Sequence, residues 1–588
     1  MSTYQAPAKD TAFVLDQLVE FDKLCETMQL GEVNLELAKV IVEEAGKLAS
    51  DVLAPLNAKG DQNGTKLVDA KVQESPGFAE AYQQYIDNGW ATLTAPEEFG
   101  GQALPNVLGT AVNELWHSAN MAFALCPMLT QGSIEALIAH GSDALKALYL
   151  PRLVSGEWTG TMNLTEPSAG SDLAAVATRA VPAGDHYLIS GQKIYITWGD
   201  HQMSPNIVHL VLARTPDAPA GVKGISLFIV PKFLLDENGD PAELNDARCI
   251  SIEHKLGIHA SPTCTMSFGE KGGAVGYLVG EVNQGLAYMF TMMNHARQSV
   301  GLQGLSISER AYQQAVWYAK DRQQGRRKDG TKMPIIEHPD VRRMLMAQRA
   351  GCEAMRALVL TAAAEIDRSQ LDGDARAAAR VELLTPIVKG WMTELANELT
   401  SLNIQVHGGM GFIEEAGAAQ HYRDARILAI YEGTNGIQAL DLIGRKTLAD
   451  QGAALAALLD EMTSVAKDLH KGGLDDFAER YRASLARTQE VRVWILERAG
   501  RDRQLMGAVA FDFLMLMGYL CGAWMMARSA VAAKALLTEE STYGASFLRA
   551  KVTTARFYAS HYLPRVEQHA QTLMAGLDSV FELEDDQF

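Results

Sequence analysis

The chain reads as an α+β multidomain protein, with an N-terminal helical domain, a middle antiparallel β-barrel or sandwich, a four-helix bundle and an extra C-terminal helical bundle. Three observations carry that reading. Apolar positions recur with a 3.6-residue period up to about residue 157. Short β-branched and aromatic runs, punctuated by Gly, Pro and Asp, fill 158–282. Long apolar helical stripes return at Gly285 and continue almost to the end. The expected domains are therefore 1–157, 158–282, 283–450 and 451–588. A chain of 588 residues, 47% hydrophobic and 21% charged, has ample core for that many.

In the first domain, 16–48 and 78–88 carry helical periodicity, 106–141 is largely helical, and 96–105, with Gly100-Gly101, is a loop. Trp158 marks the change of texture. The runs 186–189, 193–197, 207–213, 225–230 and 250–252 are strand-length with no helical pattern between them, which indicates antiparallel pairing. Gly273 and Gly276 read as hairpin turns. In the bundle, Leu286, Met289, Phe290, Met293 and Val300 share one stripe. Val341, Met344, Leu345, Cys352, Met355, Val359 and Ala362 share another, interrupted by Gln348. A third helix covers 375–403, with a kink expected at Pro386.

Four more helical patterns follow at 453–466, 477–499, 505–537 and 543–575, and the acidic end 582–588 is expected to fray. The run 505–527 is the one that resembles a membrane span. Asp512 interrupts it and leaves fifteen uncharged residues at 513–527, short of the ~20 a bilayer requires. Its methionines and small residues suit a central bundle helix, so no transmembrane segment is expected.

Composition removes several function classes. A net charge of -19 disfavours nucleic acid and anionic membrane surfaces as partners. The six cysteines are scattered without a Cys-x-x-Cys, and no His-Glu-x-x-His occurs, so neither a disulfide framework nor a metal site is expected. A reducing, cytoplasmic location fits that cysteine usage, and residues 1–10 carry no export signal.

Chemistry concentrates in Ile430-Tyr431-Glu432-Gly433-Thr434-Asn435-Gly436-Ile437-Gln438. An apolar approach and two glycines flank a single carboxylate with no cation beside it in the sequence. Burial there raises the pKa of Glu432, as a base that attacks a weakly acidic C–H requires. Gly433 opens the adjoining backbone to another molecule. The bland alternative is a helix end with a solvated Glu.

Three more runs accompany it. Leu164-Thr165-Glu166-Pro167-Ser168-Ala169-Gly170-Ser171-Asp172 offers hydroxyls and free N–H groups for a planar or phosphate-bearing ligand, or is an ordinary β-entry turn. In Gly191-Gln192-Lys193-Ile194-Tyr195-Ile196-Thr197, Tyr195 either stacks on a ligand or packs in the core. Gln405-Val406-His407-Gly408-Gly409-Met410-Gly411-Phe412 lacks the strand and spacing of a dinucleotide fingerprint. His407 by itself reads as a structural histidine, and Arg423, Asp424 and Arg426 as a salt-bridged face.

Taken in order with Tyr149-Leu150-Pro151-Arg152-Leu153-Val154-Ser155-Gly156, Ala296-Arg297-x-x-x-Gly301, Arg423-Asp424-Ala425-Arg426 and Tyr431-Glu432-Gly433-Thr434, these runs resemble the acyl-CoA dehydrogenase family over about 30–445. The extra C-terminal helices resemble those of its long forms, which include very-long-chain enzymes and bacterial methylmercaptopropionyl-CoA dehydrogenases. The resemblance implies FAD held between the β domain and the bundle. It makes Glu432 the base that removes a Cα proton of a medium- to long-chain acyl-CoA while hydride leaves Cβ for the flavin, giving trans-2-enoyl-CoA. The Glu432 N–H would polarise the thioester carbonyl.

By the same resemblance, Met162, Leu164, Thr165, Gly170, Ser171, Tyr195, Ile196 and Thr197 line the flavin, and Thr434 touches its diphosphate. Ser171, Tyr431 and Gly433 meet the substrate. Arg322, Gln405 and Gly409 reach the FAD of a neighbouring subunit, which implies a homo-oligomer, most simply a dimer. Electron-transfer flavoprotein is the implied acceptor. Met162 and His259 stand where relatives often carry an aromatic residue and Arg, and 323–338 is longer than usual. A 3-(methylthio)propanoyl-CoA dehydrogenase, an acyl-CoA oxidase and a non-catalytic acyl-CoA-binding or assembly protein are the alternatives. Peroxide release marks the oxidase, and a missing flavin spectrum marks the last.

Overall fold

The structure, a computed structural model, describes residues 4–371, 374–538 and 540–588. Its chain forms two compact units. One comprises Lys47–Leu104 and Ala119–Ala296, the other Met1–Gly46, Pro105–Ser118 and Arg297–Phe588.

The first unit is built on an eight-stranded sheet. Its order is Ala247–Ile252, Thr263–Phe268, His186–Thr197, Ala274–Val279, Ser226–Pro231, Ile207–Ala213 and Thr159–Asn163, with Arg179–Ala183 also paired to His186–Thr197. Pairing is antiparallel except between Thr159–Asn163 and Ile207–Ala213, which run parallel. Ile207–Ala213 is buried along its whole length, as its apolar run requires, and its one polar member, His209, bonds Thr161 Oγ1 at 2.7 Å. The runs 186–189 and 193–197 are one strand. Its first half pairs with Arg179–Ala183 and Ala274–Val279, its second with Thr263–Phe268, so the sheet curls around Ile189, Ile196, Phe228 and Met266.

Gly276 is not in a turn. It lies mid-strand opposite Tyr187, where an added Cβ would meet Ile189 at 2.8 Å. A hairpin, Lys66–Val68 and Lys71–Gln73, interrupts a stretch expected to be helical. Asp69 and Ala70 both take positive φ at its turn, the geometry of a two-residue hairpin.

The second unit is helical. Pro339–Ser369 packs against Ala375–His407, which continues through Pro386. Arg503–Leu536 runs through the centre and touches both, as well as Ala453–Lys471, Asp475–Arg498, Ala545–His561 and Arg565–Ala575. It and Met121–His140 are long and apolar enough to cross a bilayer, and most of each is buried in the protein. The pattern at 543–575 is two helices separated by Pro564. The expected helix 16–48 is broken at Glu20, whose φ is 57°, and again between Phe21–Thr27 and Leu35–Leu48. The acidic end forms one exposed turn, Asp585–Gln587, capped by Glu584.

A buried charge network fastens this unit. The Arg356 guanidinium donates to Glu114 (2.6 Å), Glu309 (2.8 Å) and Asp10 (2.6 Å), and Lys551 pairs with Asp10 (2.5 Å) and Glu353 (3.0 Å). The C-terminal helices are thus tied to the first helix, Ala8–Val14, through Asp10, whose partners Arg356 and Lys551 are almost fully buried.

Candidate active site

Glu432 sits between two short helical segments, Ile427–Ala429 and Asn435–Leu440. Its φ is 54° and that of Gly433 is 87°. A left-handed non-glycine residue costs about 1 kcal/mol or more and persists only where its surroundings impose it. Here they do. The Tyr431 hydroxyl donates to Gln303 Oε1, Gln438 Nε2 donates to the Gly433 carbonyl at 3.3 Å, and the Ile437 N–H donates to the Thr434 carbonyl at 2.8 Å. Gly433 is favoured by its positive φ, and a Cβ there would lie 2.6 Å from Gln438 Nε2, which would have to shift.

Burial pushes the Glu432 carboxyl up to about 7, against the pull of Lys389 and Arg297. The expected base without a neighbouring cation is therefore corrected: two cations from distant helices face it. Lys389 is sealed from solvent, and burial brings its ammonium down to about 7. Sequence reasoning did not select it, although a single lysine in Pro386-Ile387-Val388-Lys389-Gly390-Trp391-Met392 was the available signal. Backbone contact sets the height of these two cations. An added Cβ at Gly301 would lie 2.8 Å from the Val388 carbonyl oxygen, and at Gly304 2.8 Å from that of Met392. Helix Gly285–Asp321 thus lies directly on Ala375–His407.

The other sequence motifs meet in the β unit. The Ile194 N–H donates to the Thr165 carbonyl at 2.9 Å, and Lys193 Nζ donates to the Leu164 carbonyl at 3.0 Å and to Glu166 Oε1 at 2.7 Å. Glu166 also accepts from Thr178 Oγ1 and from the N–H groups of Ala177 and Thr178. Around this sealed anchor, Gly170 and Ser171 are exposed, Met162, Leu164, Thr165 and Thr197 are half-buried, and Ile196 is in the core of the sheet. Tyr195 is 61% exposed with φ 60°, which rules out the core reading of its ring. Among the described residues, the Gly170 and Ser171 N–H groups and the Thr165, Ser171 and Thr197 hydroxyls make no hydrogen bond, and no atom lies within 4 Å of a Cβ built on Gly170. Open donors around an exposed aromatic ring fit a planar, polar-edged cofactor such as a flavin.

In the helical unit Arg322, Gln405, Gly409 and Thr434 are all exposed, and Thr434 Oγ1 donates to the Ala429 carbonyl. His407 is structural: it stacks on Tyr318 at 4.1 Å, and its Nδ1 bonds the Asn403 carbonyl. Arg423 pairs with Glu414, as a salt-bridged face requires. His259 pairs with Asp61 at 2.8 Å. Among the described residues no cluster of His, Cys, Asp and Glu could hold a metal ion.

Four family models match in succession: the acyl-CoA dehydrogenase N-terminal domain over 36–157, its middle domain over 161–270, its C-terminal domain over 283–448, and an acetyl-CoA dehydrogenase C-terminal-like domain over 445–584. The chain is 47% identical to the 3-methylmercaptopropionyl-CoA dehydrogenase of Ruegeria pomeroyi, over 95% of this chain and 96% of that one. It is 33% identical to a butyryl-CoA dehydrogenase of Syntrophomonas wolfei, over 100% and 99%. Its fold matches Caenorhabditis elegans ACDH-11, solved in complex with C11-CoA, with a TM-score of 0.79 at 19% identity over 99% and 96%. Models along the whole length, and full-length relatives at this identity, make the chain a member of the acyl-CoA dehydrogenase family, a flavin-dependent oxidoreductase with the long form's extra C-terminal helices.

Proposed function

We propose that the protein oxidises a short acyl-CoA thioester to its trans-2-enoyl-CoA, with Glu432 as base and a thioether acyl group, 3-methylmercaptopropionyl, as the principal substrate. Glu432 carries the reading: a carboxyl with its pKa near 7, held in a left-handed turn by three hydrogen-bonded neighbours. The 47% identity to the Ruegeria protein favours the thioether substrate. A second reading, a straight-chain fatty acyl-CoA, is favoured by the butyryl-CoA dehydrogenase that matches over the full chain.

FAD is the cofactor and supplies the acceptor for the hydride leaving Cβ. The residues of this chain do the rest. Thr165, Gly170, Ser171, Tyr195 and Thr197 hold the flavin's polar edge and ring, with Met162, Leu164 and the Ile196 main chain beside them. The Glu432 N–H, which makes no hydrogen bond among the described residues, donates to the thioester carbonyl and acidifies Cα–H. Tyr431 and Gly433 flank the acyl group. The Glu432 carboxylate takes the Cα proton, and its pKa near 7 lets it hold that proton until product leaves.

Arg322, Gln405 and Gly409 are exposed, which suits a role toward the cofactor of a second copy in a homodimer, and Thr434 serves the diphosphate. Electron-transfer flavoprotein is the proposed acceptor. The four segments 1–157, 158–282, 283–450 and 451–588 are the proposed functional divisions. Six buried, unpaired cysteines fit a cytoplasmic site of action. A steady-state panel of 3-methylthiopropanoyl-, butyryl-, octanoyl- and palmitoyl-CoA with electron-transfer flavoprotein tests the reading. The highest kcat/KM is expected for the thioether, and a palmitoyl optimum would overturn that choice.

A further inference from the structure

Beneath the Glu432 turn lies a polar network that the reaction as described leaves unused. Lys389 Nζ donates to Asn435 Oδ1 at 2.8 Å. The amide nitrogen of Asn435 donates to Glu394 Oε1 at 2.8 Å, to Thr393 Oγ1 at 2.9 Å and to the Gly390 carbonyl at 3.3 Å. Lys389 and Thr393 are completely buried and Asn435 is 3% exposed. Asn435 is the first residue of helix Asn435–Leu440, three positions after Glu432. The chain therefore leaves its left-handed turn directly into a side chain hydrogen-bonded to Lys389, Gly390, Thr393 and Glu394 of helix Ala375–His407. A buried lysine in an apolar helix is costly unless an opposing charge or acceptor compensates it. Here the compensation comes from the segment carrying the base, so the lysine and the turn stabilise each other.

We propose that Lys389 is a positioning residue for the reaction: through Asn435 it fixes the turn that presents Glu432, and its charge favours the ionised carboxylate. This rests on Glu432 being the base. The charged and titratable groups facing the pair are few. Glu432 meets Lys389 and Arg297, with Tyr431 adjacent; Lys389 meets Glu432, Glu394 from its own helix, and Arg297 from Gly285–Asp321. Arg297 in turn meets Asp441 and Arg445. Helix Arg503–Leu536 approaches through Leu514, which is uncharged: a Cβ on Gly390 would lie 2.5 Å from its methyl. Arg297 divides its charge between Asp441 and Glu432, and Lys389 holds the turn by a direct hydrogen bond to Asn435.

Two neutral variants separate charge from anchoring. Lys389→Gln retains a donor for Asn435 but no charge, and Lys389→Met has neither. In FAD-loaded enzyme, the acid limb of the kcat–pH profile should move upward by ~1 pH unit in both. Lys389→Met should additionally lose kcat about tenfold with KM nearly unchanged, because an unanchored turn misplaces the base rather than the substrate. If the limb stays in place in both variants while Glu432→Gln is inactive, the proposal fails and the base assignment survives. If Glu432→Gln retains full activity, the base assignment itself fails. Should neither neutral variant fold, Asn435→Ala keeps the charge and releases its hold. Unchanged kcat in that variant would overturn the proposal, and a fall in kcat at constant KM would support it.

Discussion

Lys193 Nζ lies 2.7 Å from Glu166 Oε1, with the lysine wholly buried and the glutamate 4% exposed. The pair joins the loop after strand Thr159–Asn163 to the strand His186–Thr197, the two segments that carry the residues proposed to hold the flavin. Desolvation is the largest influence on each partner, yet their attraction and the three further donors to Glu166 keep its carboxyl below the usual range.

Removing one partner strands a charge in the interior, which costs about 3 kcal/mol or more. Lys193→Met is therefore expected to lower the unfolding midpoint and, by loosening Thr165 and Ser171, to weaken FAD binding at least ~10-fold. Urea unfolding and titration of the apoprotein with FAD check the two effects separately.

Gly433→Ala places a methyl group on a φ of 87° and against Gln438 Nε2. A strain of about 1–2 kcal/mol is expected, concentrated in the Glu432 turn. The thermal midpoint should fall slightly while the rate of flavin reduction falls ~10-fold or more. Stopped-flow reduction alongside calorimetry separates the two.

The Glu432 carboxyl is raised from 4.5 to about 7 in the folded protein. A folded-state pKa above the unfolded one contributes stability that is full below pH 4.5 and is lost as pH rises through 7. Above pH 7 the ionised group is thus a burden on the fold. Allowing for its partial exposure, Glu432→Gln should be more stable than the wild type by about 1 kcal/mol at pH 8, with the gain gone at pH 4. Denaturation at the two pH values tests the sign.

Lys551→Met removes the cation that Asp10 and Glu353 share. Destabilisation of about 3 kcal/mol is expected, with the helices after residue 450 loosening first. Hydrogen exchange along Ala545–His561 reads this directly.

Much of this was legible in the sequence because local chemistry expressed it. The texture change at Trp158, the apolar run at Ile207–Ala213 and the glycine beside Glu432 each act within a few residues. What was not legible depends on tertiary neighbours. Arg179–Ala183 is too short and mixed to show a period, and it exists because His186–Thr197 offers it an edge. Parallel pairing of Thr159–Asn163 leaves no local mark. The two cations facing Glu432 come from residues 297 and 389, and only the packing of their helices at Gly301 and Gly304 brings them together. Pro564, by contrast, breaks a helix through a local rule that the periodicity obscured, while the break at Glu20, a good helix former at φ 57°, leaves no local mark.

Glu432 is the proposed base for the Cα proton, and flavin bleaching reads its action directly. Anaerobic addition of 3-methylthiopropanoyl-CoA to FAD-loaded wild type should bleach the flavin absorbance within the dead time or seconds after it. FAD-loaded Glu432→Gln should stay yellow while still binding the thioester. Bleaching of that variant at the wild-type rate would contradict the account.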